Sequence, residues 1–101
     1  MEKILPKIEV LQIRAVNSDS PLKAFASVQI GLWTIREWRI IQQSGQRAWV
    51  SPPQVSWKNE EGKTCYKRII TLPEELKRRI DAVILLAWEK ENLLVMEEEN
   101  E

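Results

Sequence analysis

The stretch Arg14-Ala15-Val16-Asn17-Ser18-Asp19-Ser20-Pro21-Leu22-Lys23-Ala24-Phe25-Ala26-Ser27-Val28 decides the fold class, because it places a polar turn between two alternating runs. Side chains of Asn17, Ser18 and Asp19 can bond the nearby backbone, and Pro21 fixes its own φ, so each favours reversal by its own route. A β-hairpin near the N-terminus is predicted. Upstream, Ile8 to Val16 reads as its first strand, with Leu11, Ile13 and Ala15 on one face. Downstream, Leu22 to Ile30 sets Ala24, Ala26, Val28 and Ile30 against Lys23, Phe25, Ser27 and Gln29, the period of two that a half-buried strand requires.

Beyond the turn at Gly31, Trp33 to Ile41 is rich in β-branched and aromatic residues with charges interleaved, and predicts a third strand. Arg47 to Val50 is its partner, reached through the polar loop Gln42 to Gln46. Pro52 and Pro53 end the pairing because neither can donate a ladder hydrogen bond. Gln54 to Thr64 reads as a loop or loose hairpin, and Tyr66 to Ile70 as a fifth strand. Pro73 suits the first position of a helix, with Glu74 and Glu75 where the macrodipole favours negative charge. Leu76, Ile80, Val83, Ile84 and Ala87 then recur at helical spacing. Leu85, Leu86 and Trp88 widen that stripe, so they are candidates for burial within the domain or against a second subunit. Leu93 to Met96 either prolongs the helix or forms a short one. The predicted architecture is α+β: a small antiparallel sheet of about five strands followed by one long C-terminal helix.

At 101 residues the chain is one domain's worth, small enough that pairing with a second copy would bury useful surface. Its single cysteine, Cys65, has no intramolecular disulfide partner and reads as a small hydrophobe. No N-terminal run resembles a signal peptide or membrane span, so the cytoplasm is the expected compartment. Histidine is absent, which removes the commonest physiological acid/base group and the commonest zinc ligand. Nothing supplies a partnered base, a phosphate loop or a metal cluster, and no enzymatic activity, cofactor, metal or small-molecule substrate is expected.

Fifteen basic and fifteen acidic residues cancel overall, but not along the chain. Residues 1–90 carry all fifteen bases and ten acids; residues 91–101 carry the other five acids and no base. The plan is therefore one domain over 1–90 and an acidic tail over 91–101, a composition that ordinarily makes a solvated end. Within the domain, Lys58, Lys63, Lys67 and Arg68 precede the helix, and Lys77, Arg78 and Arg79 lie in its first turns. Clustered cations of this kind bind phosphates, and Trp57 beside Lys58 offers a ring on which an unpaired base can stack. The plainer alternative is a solvated face offset by Glu60, Glu61, Glu74 and Glu75, with Trp57 capping the core edge. Trp33, Trp38, Trp49 and Trp88 read first as core or dimer contacts. Arg36, Arg39 and Arg47 either extend the basic patch or decorate the sheet.

The order of these residues resembles a known family. Val16-Asn17-Ser18-Asp19, Lys23-Ala24-Phe25-Ala26-Ser27-Val28, Trp38-Arg39-Ile40-Ile41 and Trp49-Val50-Ser51-Pro52 follow one another as in the stage V sporulation protein G (SpoVG, septation protein) family. Gly62, Tyr66-Lys67-Arg68-Ile69 and the helix around Ile80-Asp81-Ala82-Val83 continue the likeness over roughly residues 8 to 90. The resemblance implies a small cytoplasmic homodimer of bacteria that binds DNA and RNA and regulates gene expression without catalysis. It departs in four places. Pro53-Gln54-Val55-Ser56 stands where the family has basic residues, the loop is longer, Arg68 replaces an acid, and the tail is acidic. Arg68 to Leu76 is also similar to the strand-to-helix junction of ribbon-helix-helix repressors, which read the major groove as dimers and need a second full helix. A protein-interaction module without nucleic-acid binding is the remaining alternative.

Overall fold

The computed structural model describes residues 6–17 and 19–99, with side chains described as far as Glu91. Six strands precede one helix: β1 (Ile8–Ala15), β2 (Leu22–Ile30), β3 (Trp33–Ile41), β4 (Trp49–Ser51), β5 (Gln54–Lys58), β6 (Thr64–Arg68) and α1 (Glu74–Glu99). Strands β1 to β4 form an antiparallel sheet in sequence order, and β5 pairs with β6 in a separate two-stranded ribbon. The expected α+β class holds. The stretch expected as a loop or loose hairpin supplies β5, and the strand expected over Tyr66 to Ile70 begins two residues earlier.

Alternation along β2 is what builds the core. Ala24, Ala26, Val28 and Ile30 are buried, as expected, together with Trp38, Ile40 and Val50 from the neighbouring strands and Ile80 and Ile84 from the helix. The Trp38 ring is fully buried in this core, opposite the small Ala26 across the ladder. Pro73 stands one position ahead of α1, its carbonyl accepting the Lys77 amide at 3.0 Å. Leu76, Leu85 and Trp88 pack at the margin of the core, so two of the three residues considered for a subunit contact lie against their own sheet. Leu86 faces out and is 55% exposed. The helix continues through Glu99, so residues 91–99 prolong α1 and the expected boundary at residue 90 falls inside one helix.

Three register shifts interrupt the regular ladder, and two of them meet at Ser27. On one side Val10 pairs with Val28 and Gln12 with Ser27, leaving Leu11 as an extra residue in β1. On the other, Ile35 pairs with Val28 and Trp38 with Ala26, so Arg36 and Glu37 together oppose Ser27. Glu37 takes a φ of 67°, the left-handed region, to make that bulge. Unbroken alternation from Ile35 would carry Glu37 and Arg39 to the core face; the bulge instead delivers Trp38 and Ile40. The bulge at Leu11 likewise corrects the expected face of β1. Ile8, Val10 and Ile13 pack on the core, whereas Leu11 and Ala15 are exposed.

At the β2–β3 reversal, Ile30 pairs with Trp33 across two residues, and Gly31 has a φ of 59°. That is the place where a II′ hairpin turn takes glycine. In the opening hairpin the Val16 amide donates to the Lys23 carbonyl at 2.8 Å, closing the base of the turn. Ser18, in its middle, lies outside the described residues.

Candidate nucleic-acid interface

The β5–β6 ribbon owes its form to a compact turn. Gly62 N–H donates to the Asn59 carbonyl, and the Asn59 side-chain oxygen accepts from the amides of Glu61 and Lys63 at 3.0 and 2.9 Å. Gly62, at φ 82°, occupies a left-handed position that a side chain would strain. Asparagine is suited to such local bonding. Glu60 and Glu61 are thereby held at the tip, and the cations lie behind them.

Register sorts the ribbon's side chains into two faces. Val55 pairs with Lys67 and Trp57 with Cys65, so these four share one face; Gln54 pairs with Arg68, Ser56 with Tyr66 and Lys58 with Thr64 on the other. Each face thus carries one aromatic ring beside cations: Trp57 near Lys67, and Tyr66 between Lys58 and Arg68. The rings are 48% and 60% exposed. Among the described residues, neither strand of the ribbon packs extensively on the sheet or on α1. Tyr66 was not singled out from the sequence, because only the pairing register shows that it stands among charges on a face opposite Trp57.

The cations expected to make one patch divide into two kinds. Lys58, Lys63, Lys67 and Arg68 are exposed and enter no ion pair among the described residues. Lys77 is engaged within α1, its ammonium 2.7 Å from Asp81, whereas Arg78 makes only a weak, exposed pair with Glu74 at 3.6 Å. Arg79 is half-buried, with one terminal nitrogen buried and unpartnered. Most of the available charge is on the ribbon, with Arg78 the exposed cation at the helix start.

The remaining aromatic and basic candidates take separate places. Trp38 is core, whereas Trp33 and Trp49 are exposed. Trp88 and Leu85 line a concavity of about 620 Å³ with Arg47, Gln42 and Glu89, between the β3–β4 loop and the helix. Arg36 and Arg39 lie on the sheet face away from α1. Among the described residues, no helix is long and apolar enough to cross a membrane and no group of three or more acidic or cysteine side chains is placed to hold a metal.

No protein-family model, curated protein or solved structure matches the chain.

Proposed function

We propose that this chain is a SpoVG-like, nucleic-acid-binding regulatory protein that acts as a homodimer in the cytoplasm and docks phosphates on its β5–β6 ribbon. The observation that carries the reading is the ribbon itself: beside Trp57 and Tyr66, Lys58, Lys63, Lys67 and Arg68 are exposed and enter no ion pair among the described residues. Clustered cations supply salt-dependent phosphate affinity, and exposed rings supply stacking on unpaired bases. The order of residues from Val16 to Pro52, running through the turn and strands β2 to β4, supports the family likeness. Leu86, apolar and exposed on the helix, is the candidate contact for association of two copies. No catalysis, cofactor, metal or small-molecule substrate forms part of this proposal.

A ribbon-helix-helix repressor fits less well. Its strand must pair with a second copy and precede two helices, whereas here β6 is paired with β5 and one uninterrupted helix follows it among the described residues. A protein-interaction module remains the competing class, and titration separates the two. Fluorescence anisotropy with labelled single-stranded and duplex oligonucleotides at 50 and 200 mM salt should show binding that weakens steeply with salt. Absence of binding at the lower salt would sink the nucleic-acid reading.

A further inference from the structure

The sheet face turned away from α1 carries a row of three side chains that the backbone register sets side by side. Phe25, at the centre of β2, pairs with Arg14 of β1 on one side and with Arg39 of β3 on the other. The Arg14 guanidinium lies over the Phe25 ring, 5.0 Å from its centroid. Next to this row the two bulges at Ser27 bend β1 and β3, and a basin of about 700 Å³ opens there, lined by Leu11, Gln12, Phe25, Ser27, Thr34 and Arg36 among others. Lys23 precedes Phe25 on the same face of β2.

Charge on this face is unbalanced toward the positive. Arg36 and Arg39 enter no ion pair among the described residues, and Arg14 has only Glu37, 3.7 Å away with both side chains well exposed. Glu9, the other acid on this face, is matched by Lys7 at 2.7 Å. That bond, and then the carboxylate's charge, holds the Lys7 ammonium above its ordinary pKa. Glu37 is therefore the acid that competes for the arginines around Phe25.

We propose that this open sheet face, centred on Phe25 between Arg14 and Arg39, is a platform for single-stranded nucleic acid. The inference rests on the nucleic-acid reading above and adds to it a second surface, separate from the ribbon, that takes unpaired bases. The chemistry favours an unpaired strand over a duplex. The Arg14 guanidinium, laid over the half-buried Phe25 ring, offers the planar surface to a splayed base, and the neighbouring guanidiniums offer bidentate phosphate contacts. A strand phosphate takes the place of Glu37 beside Arg14.

The test uses the full chain and a fluorescein-labelled 20-nucleotide oligo-dT, with anisotropy read from 50 to 200 mM NaCl and folding checked by circular dichroism. Arg36→Ala and Arg39→Ala should each lower the magnitude of the logarithmic salt slope by about 0.7, equivalent to losing one phosphate contact. Phe25→Leu should weaken binding roughly fivefold or more, the low end of one lost base stack. Glu37→Gln should tighten binding, a gain that misfolding cannot produce, whereas Glu89→Gln on the helix should not. Should Arg36→Ala, Arg39→Ala and Glu37→Gln keep wild-type affinity and slope while Lys67→Ala/Arg68→Ala weakens binding, the platform is refuted and the ribbon reading stands. Equal gains from Glu37→Gln and Glu89→Gln would also refute it, by showing a response to net charge alone. If the wild-type chain binds no oligo-dT at 50 mM, both proposals fall.

Discussion

Replacing Lys67 and Arg68 together by alanine tests the ribbon most directly, because the structure fixes how much should be lost. Four ribbon cations, Lys58, Lys63, Lys67 and Arg68, are exposed and enter no ion pair among the described residues, and the two replaced lie on opposite faces of the ribbon. If each neutralises one phosphate of a single strand, the ribbon contributes about −2.8 to the logarithmic salt slope per protomer, and the double variant loses about 1.4 of it. Raising salt from 50 to 200 mM then weakens the wild-type chain about 7-fold more than the variant, whatever the sheet face adds. Anisotropy titrations of oligo-dT across that range read both numbers. Neither side chain packs in the core, so the melting temperature should stay near that of the wild type. Lys77→Ala provides the contrast: its ammonium is committed to Asp81 at 2.7 Å, so the slope should be unchanged. A double variant with the wild-type slope, or a Lys77 variant that flattens it, would refute the assignment of phosphate docking to the ribbon.

Other consequences concern the scaffold. Ile84→Ala empties a fully buried site beside the sheet and should cost about 2–5 kcal/mol in urea denaturation. Glu37→Gly should melt at or above the wild-type temperature, because it removes a left-handed backbone cost of about 1–2 kcal/mol that offsets the glycine's entropy and a weak exposed ion pair. Glu37→Val should melt several degrees lower, since a β-branched side chain at that φ is strained further. Sedimentation should give the wild-type chain twice its 11.9 kDa mass, and Leu86→Glu should shift it toward the monomer without lowering secondary structure.

Where sequence reasoning reached the structure, local periodicity was the reason. The bounds of β2 and β3, the four inward residues of β2 and the Ile80 and Ile84 stripe all follow from alternation or helical spacing within one element. The face of β1 is not legible in this way, because alternation carries no mark of the extra residue Leu11 that separates it from Ile13, and Glu37 is not a residue type that announces a positive φ. The candidate interface was legible as composition: Trp57, Lys58, Lys63, Lys67 and Arg68 lie close in the chain and end on one ribbon. Lys77 and Arg78 were grouped with them by proximity alone, although Asp81 and Glu74, four residues away on the helix, were already placed to engage them.

The sequence by itself determined that this chain makes an antiparallel α+β domain, since turn residues and the two periods act locally. Tertiary structure alone decided which charges are available and which side chains stand together. Arg14, Phe25 and Arg39 are distant in the chain and become neighbours only because three strands pair in one register. The ribbon's two aromatic faces likewise exist only once β5 and β6 are aligned. Pairing between separated segments is a property of the whole fold, and both proposed nucleic-acid surfaces are built from it.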